Sequence, residues 1–333
     1  MTKIDPEIAE NDGFSRYFPQ NGSRPFPVDT SCRRELDSPH GSMNPLGLMF
    51  LDGTALLAGL AIVLGAGALF VRFGTGLLRP VLTVLLIAGF AAVFLSAVPL
   101  PKGLFIVWTA LVLVVLGLGN WSDAAPALRF RAFAVLLAAS LVLLLAEVPH
   151  LRSPRIRVDA GQPLYVVGDS ISAGIGSGER CWPEVLAAAT SLRVVNLAES
   201  GATTQSALAQ IPRIAESNAV VMLEIGGNDL LDRKGAAPFE SHLNELVSAL
   251  RASGHDVAMF ELPLFPLQAA YGRAQRAVAK RHAVALIPRR HFARVLGMPD
   301  GTLDGLHLTQ QGHDEMARRV AALLRIEPAP KPD

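Results

Sequence analysis

Long runs of uncharged, mostly apolar residues fill the first half of this chain and limit what it can fold into. Three of them cover residues 53–71, 80–101 and 103–122, with lengths of 19, 22 and 20 residues. A helix that crosses about 30 Å of hydrocarbon needs about 20 mostly apolar residues. We therefore predict that each of these three runs forms a transmembrane helix.

A fourth run, at residues 132–146, has only 15 residues but is the richest in leucine. Arg131 and Glu147 flank this run, and both side chains are long enough to extend to the two membrane interfaces. We count it as a fourth span, so the predicted membrane region, residues 43–150, contains about four transmembrane helices. Three spans remain the alternative, whereas burial of four such helices in a soluble core is disfavoured.

Charge is distributed unevenly along the chain. Residues 53–146 contain six charged residues among 94, whereas the other 239 residues contain 53. The higher density is ordinary for a soluble protein, and the lower one is not. The net charge is +1, and no basic stripe is present. Nucleic acid is therefore not an expected partner, because binding to phosphates needs clustered Lys and Arg.

The two ends of the chain are predicted to be disordered tails. Residues 1–42 are polar and have no apolar run that could form a core, so Met43 is a candidate true start. Residues 327–333 form the second predicted tail. Lys and Arg are almost equally frequent in the loops on the two sides of the predicted spans, so the face of the membrane that carries the second half stays open.

Beyond a predicted linker at residues 151–163, short apolar runs alternate with helical patterns. The runs predict five strands, which cover residues 164–170, 192–199, 219–229, 256–264 and 283–289. Apolar side chains recur at helical spacing between the third and fourth strands. Alternating strands and helices predict a parallel sheet covered on both faces, with functional residues in the loops at the carboxyl ends of the strands.

The first three predicted strands end in or next to polar clusters, and a fourth cluster precedes the last predicted helix. They contain Ser170 in GDS, Gly201 in ESG, Asn228 in GGND, and Asp304 with His307 in DGLH. A serine becomes a strong nucleophile when a base lies within hydrogen-bond reach and a third group orients that base. Ser170, His307 and Asp304 are those three residue types. The Gly201 backbone and the Asn228 amide can supply donors to a developing oxyanion.

In their order and content, these motifs resemble the blocks of the SGNH (GDSL-type) hydrolases, which supply Ser, Gly, Asn and His. The resemblance implies that Ser170 is the nucleophile and, through its backbone N–H, the first oxyanion donor. It implies that Gly201 and Asn228 are the other donors. It also implies that His307 is the base and Asp304 its partner.

The resemblance covers residues 163–325 and is greatest to the bacterial thioesterase I/lysophospholipase/arylesterase branch. Trp182 and Pro183 after the nucleophile, and the sequence VMLEIGGND, carry this similarity. The implied fold is a three-layer, flavodoxin-like α/β domain at residues 164–326, here preceded by an all-α transmembrane region. The segment after GGND differs from that branch, which leaves the acyl-chain preference open.

The resulting hypothesis is a membrane-anchored serine esterase in a bacterial cytoplasmic membrane that hydrolyses ester or thioester bonds through an acyl-enzyme. Its expected substrate is a small acyl ester, a thioester or a lipid-like molecule. No cofactor or metal is implied, since Cys32 and Cys181 form no ligand motif. One alternative is an acyltransferase or deacetylase of envelope glycans or lipids. Another is a non-catalytic membrane scaffold with a hydrolase-like domain.

Three polar residues near the motifs are expected to have no chemical role. Asp169 and Asp229 are expected to brace their loops through hydrogen bonds. His313, six residues after His307, is expected to be an exposed residue of the last helix. The oligomeric state stays open.

Overall fold

The computed structural model describes residues 44–73, 77–121, 123–175 and 178–327. The tail predicted at residues 1–42 lies outside the described residues. The same holds for residues 328–333 of the second predicted tail.

Within the described residues, five helices precede the first strand. They are α1 (Pro45–Asp52), α2 (Thr54–Phe73), α3 (Leu78–Leu95), α4 (Lys102–Asn120) and α5 (Pro126–Leu151). By length and composition, α2 to α5 are each able to cross a membrane. Helix α1 was not predicted, and α5 is longer than the 15-residue run because it begins at Pro126 and continues through Glu147 to Leu151.

Helices α2 and α3 pack closely because two glycines face each other between them. A Cβ atom at Gly59 would lie 2.7 Å from the carbonyl oxygen of Gly89, and one at Gly89 would lie 2.9 Å from that of Gly59. Small residues at such crossings let helix backbones approach, which is a typical mode of packing between transmembrane helices. Inside the bundle, the indole N–H of Trp108 donates to Ser140 Oγ at 2.9 Å.

The second half of the chain contains two parallel sheets. Strand β1 (Ile156–Val158) pairs with β7 (Leu324–Ile326). The larger sheet has the order β3–β2–β4–β5–β6, and all its pairs are parallel. Its strands are β2 (Leu164–Gly168), β3 (Val194–Asn196), β4 (Val220–Glu224), β5 (Asp256–Phe260) and β6 (Ala285–Ile287). All five predicted strands are confirmed. Strand β1 falls in the predicted linker and was missed because Arg157 interrupts its apolar residues.

Helices cover both faces of the larger sheet. They are α6 (Ser170–Ala173), α7 (Trp182–Ala189), α8 (Gly227–Leu231), α9 (Ala236–Ala252), α10 (Ala269–Arg281), α11 (Arg290–Leu296) and α12 (Gln310–Ala321), with a 3₁₀ helix at Ser206–Arg213. Alternate strand residues belong to different cores: Val167 and Leu223 pack with α9, whereas Val166 and Met222 pack with α7 and α12. The predicted three-layer α/β architecture is confirmed.

The strand order reverses between β2 and β4, as in flavodoxin-like folds. Chain connections leave these two strands in opposite directions, which opens a crevice beyond their carboxyl ends. Ser170 follows β2 and Asn228 follows β4. The topology therefore brings two of the predicted site residues to one crevice.

Buried ion pairs join the helical bundle to the α/β domain. Arg276 of α10 donates to both carboxylate oxygens of Glu147 at 2.7 Å, and its Nε donates to Glu261 at 2.6 Å. Arg289 donates to the carbonyl oxygen of Ser96, just beyond the end of α3, at 3.2 Å. The prediction that Glu147 extends to a membrane interface is wrong, because this side chain is buried against Arg276.

Candidate active site

Ser170 lies at a sharp turn where β2 passes directly into α6. Asp169 caps this helix, since its Oδ1 accepts the backbone N–H of Ile171 at 3.1 Å. Gly168 permits a close approach of β2 to β4, because a Cβ atom there would lie 2.7 Å from the carbonyl oxygen of Glu224. The turn leaves the Ser170 side chain at the carboxyl end of the sheet, where 8% of the residue is exposed.

Ser170, His307 and Asp304 form one chain of hydrogen bonds, although the first two lie 137 positions apart in the sequence. Ser170 Oγ lies 3.1 Å from His307 Nε2, and His307 Nδ1 lies 2.7 Å from Asp304 Oδ2. A proton on Nδ1 is donated to the carboxylate, which leaves the lone pair of Nε2 to accept the Ser170 hydroxyl. The structure therefore brings together the three residues predicted to act as nucleophile, base and orienting acid.

The DGLH turn holds Asp304 in place. Asp304 Oδ1 accepts the backbone N–H groups of Leu306 at 2.9 Å and of His307 at 2.8 Å. Gly305 takes a positive φ of 86°, which side chains at other residues rarely adopt. Partial burial opposes ionisation of Asp304, but the hydrogen bonds to its carboxylate outweigh burial and lower its pKa below the ordinary value.

The predicted oxyanion donors lie on three segments: the start of α6 at Ser170, the turn at Gly201, and α8 at Asn228. Within the described part of the chain, the backbone N–H groups of Ser170 and Gly201 donate to no protein acceptor. Gly201 has a φ of 78°, and no atom lies within 4 Å of the position that its Cβ would take. Asn228 Nδ2 donates to the carbonyl oxygen of Ala202 at 2.9 Å and lies 3.5 Å from Asp169 Oδ2.

Asp229 joins α8, which contains Asn228, to the loop that follows Gly201. Its Oδ2 accepts the backbone N–H of Thr204 at 2.8 Å, and its Oδ1 accepts the Thr204 hydroxyl at 2.7 Å. This geometry fits the bracing role expected for Asp229. The cap that Asp169 provides to α6 likewise fits a structural role.

A second buried carboxyl group, that of Glu224, lies beside Asp169. Burial raises the pKa of Asp169 to about 6, and burial together with the nearby Asp169 carboxyl raises the pKa of Glu224 well above its ordinary value. Glu224 Oε2 accepts the hydroxyl of Ser172 at 2.8 Å, and Ser172 Oγ accepts the indole N–H of Trp182 at 3.0 Å. Sequence reasoning missed Glu224, although an acidic residue at the end of the apolar run VVMLE was a signal.

The expectation that His313 is exposed is wrong. Only 1% of this residue is exposed, because α12 packs against α7. Its Nδ1 accepts the backbone N–H of Trp182, the first residue of α7, at 3.2 Å. Burial lowers the pKa of His313, which favours the neutral ring that this contact needs.

A mainly apolar cavity of about 90 Å³ opens beside Ser170. Its polar lining residues include Ser170, Asp169, Glu224 and Asn228. Its other walls in this domain include the apolar side chains of Ile171, Leu230, Leu262, Phe292, Leu296 and Leu306. An acyl ester has the same division of polarity, with a polar carbonyl joined to an apolar chain.

Comparison with known proteins identifies the family. Residues 166–315 match the GDSL-like Lipase/Acylhydrolase family. The chain is also 34% identical over 163 residues to Esterase TesA of Pseudomonas aeruginosa, an alignment that covers 44% of this chain and 80% of that protein. The chain belongs to the GDSL-like lipase/acylhydrolase family. The predicted membership of the SGNH (GDSL-type) hydrolases is thereby confirmed.

Other relatives of this GDSL-family protein agree with the predicted branch. It is 29% identical over 179 residues to the Arylesterase of Vibrio mimicus, covering 49% of this chain and 88% of that one. It is 28% identical over 188 residues to Thioesterase 1/protease 1/lysophospholipase L1 of Escherichia coli K12, covering 50% and 88%.

Among solved structures, the chain is similar to a crystal structure of TesA. The two share 31% sequence identity with a TM-score of 0.45, over 49% of this chain and 97% of that one. The match to the family model begins at residue 166, beyond the helical bundle. The family match and the relatives named as esterases together show that this protein is a hydrolase of ester bonds.

Proposed function

We propose that this GDSL-family hydrolase is a membrane-anchored serine esterase in which Ser170 is the nucleophile. The observation that carries the proposal is the continuous chain of hydrogen bonds from Asp304 Oδ2 through the His307 ring to Ser170 Oγ, with lengths of 2.7 and 3.1 Å. A nucleophile in contact with a base, and a base held by a carboxylate, is the arrangement that activates serine for acyl transfer.

In the proposed mechanism, Ser170 Oγ attacks the carbonyl carbon of the ester or thioester while His307 Nε2 takes the hydroxyl proton. His307 then gives that proton to the leaving alcohol or thiol, and an acyl-enzyme forms at Ser170. Water then attacks the acyl carbon while His307 takes one of the water's protons. The bond between that carbon and Ser170 Oγ breaks, His307 returns the proton to Ser170, and the free acid leaves. The lowered pKa of Asp304 keeps its carboxylate ionised, so it stabilises the imidazolium in both steps.

In this proposal, three hydrogen-bond donors stabilise the negative charge that develops on the carbonyl oxygen. They are the backbone N–H groups of Ser170 and Gly201 and the side-chain amide of Asn228. A fixed donor of this kind lowers the barrier by about 3 kcal/mol. The hydrogen bond from Asn228 to Ala202 orients its amide before substrate arrives, and Asp229 holds the two donor segments together through Thr204.

We further propose that α2 to α5 anchor the enzyme in a bacterial cytoplasmic membrane. The length and apolar composition of these helices support this anchoring. The proposed domains are the membrane region at residues 43–150 and the hydrolase domain at 164–326, joined by residues 151–163. The esterase and thioesterase names of the relatives support a small acyl ester, thioester or lipid-like molecule as substrate.

The proposal is tested with Ser170→Ala in the full chain, with hydrolysis of short p-nitrophenyl esters as the measurement. We expect a loss of kcat of at least ~10³-fold, since the remaining donors cannot replace the nucleophile. Ser253→Ala, at the exposed end of α9, is the control and should keep full activity. Hydrolysis that survives in Ser170→Ala overturns the proposal, and transfer of the acyl group without release of free acid favours an acyltransferase.

A further inference from the structure

Helix α1 precedes the part of the chain that matches the family, yet it contributes a wall to the cavity beside Ser170. Its residue Leu51 lines this cavity together with Ser170 and the apolar side chains of the hydrolase domain. Only 4% of Leu51 is exposed. The cavity is therefore assembled from two separate parts of the chain, one of which sequence motifs could not reveal.

Capping interactions fix both ends of α1. At its start, Asn44 Oδ1 accepts the backbone N–H of Leu46 at 2.9 Å, and Pro45 occupies the first helical position. At its end, Gly53 adopts the left-handed conformation with a φ of 89°. Asp52 then caps α2, since its Oδ1 accepts the backbone N–H of Thr54 at 2.8 Å. Helix α1 is thus held in a set direction relative to α2.

Helix α1 also packs directly on the hydrolase domain. A Cβ atom at Gly297, which follows α11, would lie 2.7 Å from Leu48 Cδ1. The guanidinium of Arg289 fills the space that a side chain at Gly53 would need. Leu51 therefore lines the cavity from a helix whose position is set by its contacts with Gly297 and Arg289.

The polar groups beside Ser170 set where the ester carbonyl lies. A carbonyl at Ser170 Oγ would lie near Asn228, which is 3.5 Å from the neighbouring Asp169. The acyl chain would then extend along the apolar walls, of which Leu51 is one. Apolar side chains in such a pocket select chain length by the space they leave.

We propose that Leu51 is a specificity-determining residue that limits the length of the acyl chain accepted at Ser170. This inference rests on the proposed esterase function. It gives α1 a role in substrate selection, in addition to its position at the start of the helical bundle. The substrate class that follows is an ester or thioester whose acyl chain ends against Leu51.

The test uses the full chain in detergent and p-nitrophenyl esters of increasing acyl length, from acetate to decanoate. Leu51→Ala should raise the ratio of kcat/KM for octanoate to that for acetate roughly tenfold, because the shorter side chain leaves room for about three more carbon atoms. Leu51→Phe should lower the same ratio by a similar factor. Leu46→Ala is the matched control on α1, since Leu46 is 65% exposed, and should leave the ratio unchanged.

Wild-type ratios in both Leu51 variants would overturn the inference. If Leu51→Ala hydrolyses neither octanoate nor acetate, the test rests on Leu51→Phe. A wild-type ratio of kcat/KM for octanoate to that for acetate in Leu51→Phe then counts against the proposal. The two levels of the account fail separately. If hydrolysis is lost in Ser170→Ala but the preference for acyl length is the same in the wild type and both Leu51 variants, only the role of Leu51 is refuted. If hydrolysis survives in Ser170→Ala, the proposed function is refuted.

Discussion

The helical bundle and the hydrolase domain place polar and apolar groups in opposite ways. In the bundle, Leu69 and Val84 are 45% and 64% exposed, while Gly59 and Gly89 meet in the interior. In the hydrolase domain, β2 and β4 are fully buried and, apart from Glu224, mainly apolar, and ion pairs such as that of Arg281 with Glu240 lie on the surface.

This difference fits the proposed membrane anchoring of the bundle. An outer surface of Leu and Val suits hydrocarbon, where tight packing of small residues holds helices together. An outer surface of charges suits water, where burial of apolar strands drives folding. Where the two regions meet, apolar contacts such as that of Leu48 with Gly297 lie beside the buried charges of Glu147, Arg276 and Glu261.

The largest expected effect on stability comes from breaking these buried ion pairs. Arg276→Ala leaves two buried carboxylates without their partner, which typically costs about 3 to 5 kcal/mol. Lys234→Ala is the control, because it removes an exposed ion pair with Asp232 that is worth at most about 1 kcal/mol. Thermal unfolding in detergent measures both. Equal shifts in Tm for the two variants would mean that the buried network does not join the regions.

A smaller effect tests packing within the bundle. Gly59→Leu inserts a side chain where Gly89 and Val93 leave no room, and overpacking of this kind costs about 1 to 3 kcal/mol. Gly65→Leu lies on the same helix and meets no atom within 4 Å, so its Tm should stay near that of the wild type. If Gly59→Leu is as stable as Gly65→Leu, close helix contact is not what holds α2 to α3.

The smallest effect concerns pH and the carboxyl pair of Asp169 and Glu224. Folding raises the pKa of both groups, so the folded protein keeps protons that the unfolded chain releases. The free energy of unfolding should therefore decrease as the pH rises from about 4 through about 6. The amide side chain introduced by Glu224→Gln cannot ionise, so the wild type should lose stability relative to this variant over that range.

Melting temperatures between pH 4 and pH 8 measure this effect. Glu240→Gln, at an exposed position, controls for the change in charge. If the difference in Tm between the wild type and Glu224→Gln stays constant from pH 4 to pH 8, the buried pair does not take up an extra proton on folding.

Short-range patterns in the sequence predicted most of the hydrolase domain. The five strands and the motifs around Ser170 and His307 follow from local apolar runs and from residue types that chemistry requires. Four apolar helices likewise follow from run lengths. These features depend on neighbouring residues, so a single sequence carries them.

The features that escaped prediction depend on contacts between distant residues. Glu147 ends an apolar run, and nothing nearby in the sequence indicates that Arg276 will bind it. His313 is polar on a helix, and its burial depends on the position of α7. Leu51 belongs to a short helix of ordinary apolar residues, and its place in the cavity wall follows only from how α1 packs on α11.

The central claim is that His307 activates Ser170 as a nucleophile, and a covalent probe tests it most directly. The full-length protein is treated with a fluorophosphonate, digested, and examined by mass spectrometry to locate the adduct. The account predicts an adduct on Ser170 that forms rapidly in the wild type and at a greatly reduced rate in His307→Ala. An adduct on another residue, or equal rates of labelling in the two proteins, would contradict it.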